Sequence, residues 1–375
     1  MKNPAFVLAL LGVAVLPAAA AAQAAAPPAA APKASKEPPI PAPRPPLSKE
    51  QERAKFHPRA LGMDAATRLT AFAKRQQMEK ASPLSAIRFR SVGPEVQGGR
   101  VVDIHAPANQ PDSILVAFAS GGLWRTDNRG GSWAPLFDKE SSITIGAFAL
   151  GDGDAMTIYV GSGESNSSRT SYAGTGMFKT SDGGKTWKNI GLTDTHHIGR
   201  VLVDPRDPGT VYAAAVGHLY TENAERGVFK TEDGGEHWTK TLFVDEATGA
   251  IDLVQDPSRP DILYAATWER ARTAANFLES GPGSGIWKSG NAGRTWTKLS
   301  GGLPAGATVG RLGLAIAASR PDTVYAVLDN QARRPEGEVF DEEAAPGELT
   351  PRRLRLLDAA SFGRLDDAAI TRFLR

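Results

Sequence analysis

TEDGGEHW, Thr231 to Trp238, has three counterparts in this 375-residue chain: TDNRGGSW at Thr126 to Trp133, TSDGGKTW at Thr180 to Trp187 and SGNAGRTW at Ser289 to Trp296. In each copy the Trp follows a large apolar residue, Trp124, Phe178, Phe229 or Trp287, by nine positions. The Trp-to-Trp steps are 54, 51 and 58 residues, the length of one four-stranded propeller blade. The repeat therefore predicts an all-β chain, a β-propeller of four-stranded blades.

The chemistry of the octapeptide is that of a turn. A Ser or Thr opens it, and two residues later Asn128, Asp182, Asp233 or Asn291 offers a short side-chain oxygen to nearby backbone N–H groups. Gly130, Gly184, Gly235 and Gly293 permit positive φ. The closing Trp133, Trp187, Trp238 and Trp296 begin the outgoing strand and are expected to be buried between neighbouring sheets. The four Asp or Asn residues read as structural, not catalytic.

The octapeptides resemble the Asp-box of BNR repeats, found in sialidases, sortilins and xyloglucan-degrading propellers. Over most of the chain after residue 85, FRSVGP, ASGGLW, HHIGR, ERGVFKTEDGG, TGAIDLV and GPGSGIWKS resemble a bacterial family of secreted, sortilin-like Asp-box propellers that carries a "glycosyl hydrolase" label. The resemblance implies a propeller and leaves activity open, since the label rests on the repeats. FRSVGP at Phe89 to Pro94 departs from the F-R-I-P motif of sialidases, its proline two positions late, so sialidase activity is not expected.

The remaining composition sets the compartment. Lys2, the apolar run Ala5 to Leu16 and the small residues Ala18 to Ala24 form a secretory signal pattern, so residues 1–24 are expected to be removed on export to periplasm or medium, with no stable membrane insertion. The absence of cysteine excludes disulfides, thiolate catalysis and Cys metal sites. Residues 25–47, proline-rich and alanine-rich, read as an extended tether, and 48–82 as a helical lead-in with a capping box at Ser48 and Gln51 and a helix after Asp64. A net charge of +2 with mixed signs excludes a nucleic-acid-binding face.

Blades are expected over 85–330. Pro111, Pro208, Pro260 and Pro321 each precede Leu115, Tyr212, Tyr264 or Tyr325 by four residues and mark the turn into the second strand. In an up-and-down blade the octapeptide turns then lie on one face, and the loops between second and third strands lie on the other with the interblade links. Those loops, Gly161–Gly176, Gly217–Gly227 and Glu269–Gly285, vary in length above a constant scaffold, as binding loops do.

Candidate ligand-binding residues on that face are Arg100, Arg200, Arg311, His197, His218, Tyr172 and Trp268, with Asn166 and Arg169 nearby in the blade-two loop. The arginines belong to Gly-Arg pairs at the start of first strands, which line a propeller's channel. They form either a cationic funnel for a carboxylate or phosphate, or ties to acids such as Asp103, Asp252 and Glu164. Glu164, Glu222 and Glu269 are the candidate acids for a glycosidase pair, with Tyr172 and Trp268 as sugar platforms. His196 and His197 are adjacent, so strand alternation points at most one of them into a pocket. The six histidines show no metal-ligand spacing, and neither metal nor cofactor is expected.

Three readings follow: a binding or scaffold module for a peptide, glycan or envelope component, a polysaccharide hydrolase, or a fragment without independent activity. The third arises because a fifth blade has two strands, Leu312–Ala317 and Thr323–Leu328, and no octapeptide. Residues 331–375 instead turn polar and helical, with Thr350 and Pro351 opening one helix and Ile370, Phe373 and Leu374 in a second. Four complete blades and half of a fifth leave open edges that further blades or a partner chain would close.

Overall fold

The computed structural model describes residues 63–87, 99–107, 109–151, 155–166, 171–272, 277–332 and 349–374. The leader, tether, capping box, FRSVGP segment and Arg169 lie outside these residues.

The chain is a β-propeller. Blade one comprises β1 (Val101–His105), β2 (Ile114–Phe118), β3 (Gly122–Thr126) and β4 (Ala134–Pro135), and blade two β5 (Ile145–Leu150), β6 (Ile158–Ser162), β7 (Met177–Thr180) and β8 (Lys188–Asn189). Blade three follows with β9 (Ile198–Asp204), β10 (Asp207–Ala215), β11 (Gly227–Thr231) and β12 (Thr239–Leu242). Blade four begins with β13 (Thr248–Gln255) and β14 (Leu263–Glu269) and then inserts a small hairpin, β15 (Ala271–Arg272) and β16 (Phe277–Leu278). It closes with β17 (Gly285–Ser289) and β18 (Thr297–Lys298), and β19 (Val309–Ala317) pairs with β20 (Arg320–Asn330) in a two-stranded sheet. Each four-stranded sheet is ordered as the chain runs, with antiparallel neighbours.

The apolar run VYAAAV explains itself in β10. Val211, Ala213 and Ala215 enter the core shared with blade two, whereas Tyr212 and Ala214 enter the core shared with blade four. Strand alternation thus feeds two interblade cores, and both faces must be apolar. Phe137, Phe148 and Phe178 fill the interface of blades one and two, with Phe137 edge-on to Phe178 at 5.0 Å. Ile251, Trp268, Leu312 and Leu314 join blade four to the β19–β20 hairpin.

The octapeptide turns obey one hydrogen-bond scheme. In the third copy the Thr231 hydroxyl donates to Asp233 Oδ1 (2.7 Å) and accepts from Gly235 N–H (3.0 Å), while Asp233 Oδ1 also accepts from His237 N–H (2.9 Å). Thr126 and Asn128, Thr180 and Asp182, and Ser289 and Asn291 repeat it. Bonds from Thr186 hold the Asp182 carboxyl far below the usual carboxylate range, and the His237 backbone N–H does the same for Asp233. Three of the tryptophans then reach back to the preceding blade: Trp187 Nε1 donates to Leu136 O (2.7 Å), Trp238 Nε1 to Ile190 O (2.7 Å) and Trp296 Nε1 to Thr241 Oγ1 (3.2 Å). Trp133 differs from the expected burial, at 42% exposed, because no blade precedes blade one among the described residues.

Gly234 N–H donates to Gly209 O and Ala292 N–H to Asp261 O, tying the octapeptide turns to the first-to-second turns on a common face. The opposite face gathers the second-to-third loops and interblade links. There α1 (Ala65–Ala81), capped by Asp64, docks through Arg68, which bonds the carbonyls of Gly174 and Thr193 (3.2 Å). Its apolar side chains contribute little to this docking, since Ala65 is the one buried residue of the helix and Met78 is exposed. Three short helices, α2 (Pro351–Leu356), α3 (Ala359–Phe362) and α4 (Asp367–Phe373), end the described chain.

Candidate functional site

The inner strands set the geometry at the channel mouth. A Cβ on Gly146 would overlap the Ile198 carbonyl, and one on Gly199 the Ile251 carbonyl, so glycine there permits the close approach of first strands. The arginines of the Gly-Arg pairs are carried into the mouth by that approach. Arg200 Nε donates to Asp252 Oδ1 (2.8 Å), and its Nη1 lies 3.9 Å from Asp103 Oδ1 across the channel. Arg100 pairs with Glu164, and Arg311 Nη1 donates to Asn166 Oδ1 (2.9 Å). The second oxygens of the aspartates accept backbone N–H groups from other blades, Asp103 from Phe148 (3.2 Å) and Asp252 from Leu314 (2.8 Å).

The arginines therefore fall into two kinds. Arg100 and Arg200 have carboxylate partners and tie blades together. Arg311 has an amide partner and the face of Trp268, 5.7 Å from its guanidinium, and forms no ion pair with an acid among the described residues. Burial lowers its pKa from the ordinary arginine value, against the pull of Asp252. Arg200, Asp252, Arg311, Asn166 and Ser165 line a cleft of about 90 Å³. Pockets that swallow a small molecule are typically ~300–1,000 Å³, so this one suits the end group of a larger ligand lying across the loops.

The other predicted residues occupy distinct places. Glu164 is 1% exposed and is held by Arg100, Asn166 and Ser171. Glu269 accepts from Gly283 N–H (2.8 Å) in the blade-four loop, and Glu222 is an exposed residue of the blade-three loop. Trp268 is 2% exposed and donates to Glu279 O (2.7 Å), so its ring is core rather than a platform in this conformation. Tyr172, 60% exposed, stands on the blade-two loop. His197 is enclosed, donates from Nδ1 to Glu164 O (2.7 Å) and is kept neutral by burial, which pushes its pKa well below the ordinary value.

His218 joins a group that sequence spacing concealed. Its ring stacks on His196 at 3.5 Å and 18°, and both histidines meet Asp194. His196 adopts φ +59°, outside strand geometry, which frees it from the alternation expected of HHIGR. Arg226, beside His218 and not singled out by the sequence, anchors the loop: five hydrogen bonds run to Val216 O, Ala247 O, His218 O, Thr221 O and Asn223 Oδ1. Burial lowers the Arg226 pKa to about 10.

No family model matches the chain. A xyloglucanase from a Paenibacillus species is 25% identical over 257 residues, covering 62% of this chain and 24% of that protein. The chain thus spans about a quarter of the curated relative it matches. Similar solved structures are β-propeller proteins. An ancestral GH74 enzyme has 20% identity and a TM-score of 0.44 over 58% of this chain and 27% of its own. The GH74 xyloglucanase of Xanthomonas campestris has 15% and 0.39 over 67% and 44%, and YCF48 bound to D1 peptide 18% and 0.32 over 62% and 76%. At these identities the likeness concerns the fold.

Proposed function

We propose that the protein is an exported binding module whose octapeptides are Asp-boxes and whose ligand, a carboxylate-bearing peptide or glycan, lies across the second-to-third loops. The observation that carries this reading is Arg311 at the channel mouth: a guanidinium with an amide partner, beside a cleft sized for one functional group. A ligand carboxylate replaces Asn166 as its partner and gains a bidentate, charge-assisted pair. Asp252 stays with Arg200 and rejects ligands that would place a second anion deeper in the channel. Compartment follows from the leader read in the sequence; recovery from the periplasmic or secreted fraction, with an N-terminus near Ala25, checks it.

The test uses the full chain on an array of carboxylate-bearing and neutral peptides and glycans, with reducing-end release measured in parallel. Saturable binding to carboxylate-bearing probes, lost in a folded Arg311→Met variant, and no release of reducing ends are expected. Equal binding by Arg311→Met overturns the reading.

Similarity to a xyloglucanase supports a second reading, a glycoside hydrolase. Such an enzyme needs two carboxyl groups about 5–9 Å apart, one of them free to exchange protons. Glu164 is committed to Arg100, Asn166 and Ser171, and Glu269 to Gly283, which favours binding over turnover. Release of reducing ends, abolished by Glu164→Gln or Glu269→Gln, would establish the hydrolase instead.

A further inference from the structure

We propose that Asp194, His196 and His218 form a binding site for a first-row divalent metal ion, Zn²⁺ in the first instance, at the seam between blades two and three. Asp194 and His196 lie in the link from β8 to β9, and His218 in the loop from β10 to β11. Asp194 Oδ1 stands 3.6 Å from His196 Nε2 and 3.7 Å from His218 Nε2, and the three candidate donor atoms all lie within 4.8 Å of one another. Ligand bonds of ~2.0–2.1 Å in tetrahedral geometry place donor atoms ~3.3–3.5 Å apart, and because the two imidazoles are stacked nearly parallel, one ring turns out of the stack as the ion binds so that both in-plane lone pairs meet it.

Two of these atoms are buried without a hydrogen-bond partner. Among the described residues His196 Nε2 and Asp194 Oδ1 each lack one, although His196 is only 9% exposed. Buried polar atoms are nearly always satisfied, and two orphans facing each other across 3.6 Å are accounted for by an ion between them. Imidazole nitrogen with one carboxylate suits Zn²⁺ among the common divalent ions.

The surroundings supply an outer shell. His218 now donates from Nε2 to the Asp194 carbonyl (3.1 Å) and accepts at Nδ1 from Thr221 Oγ1 (2.7 Å). Metal binding moves the proton to Nδ1, where Thr221 Oγ1 accepts it, and bares the Nε2 lone pair. Arg226 fixes the backbone of this histidine through its carbonyl (2.7 Å). Arg68 is the principal opponent, a cation drawn toward Asp194 but hydrogen-bonded to the Gly174 and Thr193 carbonyls. Three protein ligands leave a fourth position for water or a ligand oxygen on the loop face.

The experiment titrates metal-stripped full-length protein with Zn²⁺ by calorimetry and with Co²⁺ by visible absorption. One equivalent of Zn²⁺ is expected, together with an intense Co²⁺ spectrum of low coordination number and a higher melting temperature in Zn²⁺. His218→Ala and Asp194→Asn, checked for folding by circular dichroism, weaken binding at least about 100-fold, and Arg68→Met tightens it. The exposed pair His237 and Asp233 is the internal control, and His237→Ala leaves binding unchanged. Absence of a one-to-one Zn²⁺ isotherm in the wild type overturns the site without reference to any variant. Undiminished binding by folded His218→Ala or Asp194→Asn does so as well.

Discussion

Replacing Trp238 and Trp133 by Ala tests the blade assembly, because the two residues hold the same octapeptide position in different surroundings. An indole carries roughly 150–250 Å² of surface, and at about 25 cal/mol per Å² a mostly buried one contributes roughly 3 kcal/mol. Trp238 packs on the blade-two core beside Ile190 and adds the bond to its carbonyl, about 1 kcal/mol more. Trp133 is 42% exposed and makes no comparable bond among the described residues, so its loss costs about 2 kcal/mol. The expected outcome is a gap of about 2 kcal/mol between Trp238→Ala and Trp133→Ala in urea unfolding followed by far-ultraviolet circular dichroism. Trp238→Phe, which keeps a ring and loses the N–H, costs less than Trp238→Ala. Equal losses would refute the reasoning, for they would mean that Trp133 is covered in solution by a further blade or a second copy.

The arginines separate in the same way. Arg200→Met lowers the melting temperature clearly, whereas Arg311→Met weakens a carboxylate ligand at least tenfold with little effect on melting; the reverse pattern of melting would exchange their roles. Gly146→Ala costs about 3 kcal/mol, read by thermal unfolding, because its Cβ meets the Ile198 carbonyl and backbone must shift. Acid stability has a defined sign at Asp204. Burial opposes its ionised form, but bonds from Arg206 and Gln255 outweigh that and lower its pKa. Its contribution is present above the unfolded carboxylate value near ~4 and is lost as pH falls through the lower native one. Asp204→Asn is therefore less stable at pH 7, by roughly 1–2 kcal/mol in urea unfolding, and shows a flatter decline between pH 5 and 3.

The blades were legible because their signals are local. A hydroxyl, an acid or amide two residues on and a glycine two beyond that form one turn whose bonds all fall within the octapeptide, so the pattern carries its own geometry. The run VYAAAV likewise states that both faces of β10 are covered. Burial of Trp133 was expected from the same pattern and is less complete, at 42% exposed, because indole burial is supplied by the neighbouring blade and not by the turn. The β15–β16 hairpin was not read either, for two-residue strands carry no alternation to detect.

The loop face was legible as a location and much less as a set of contacts. The Gly-Arg pairs marked the channel mouth, but which arginine keeps an amide and which a carboxylate depends on Asp103 and Asp252, brought from blades one and four. Trp268 sits beside loop residues in sequence yet belongs to the core with Leu312, since the last residues of β14 are still covered by β19. The Asp194, His196 and His218 cluster is the sharpest case. Only Thr195 separates Asp194 from His196, and the left-handed conformation of His196, not strand alternation, brings its ring onto one from the next blade. A metal centre assembled from an interblade link and a second-to-third loop has no fixed spacing in any propeller sequence. It becomes visible only when blade geometry sets the link of one blade against the loop of the next.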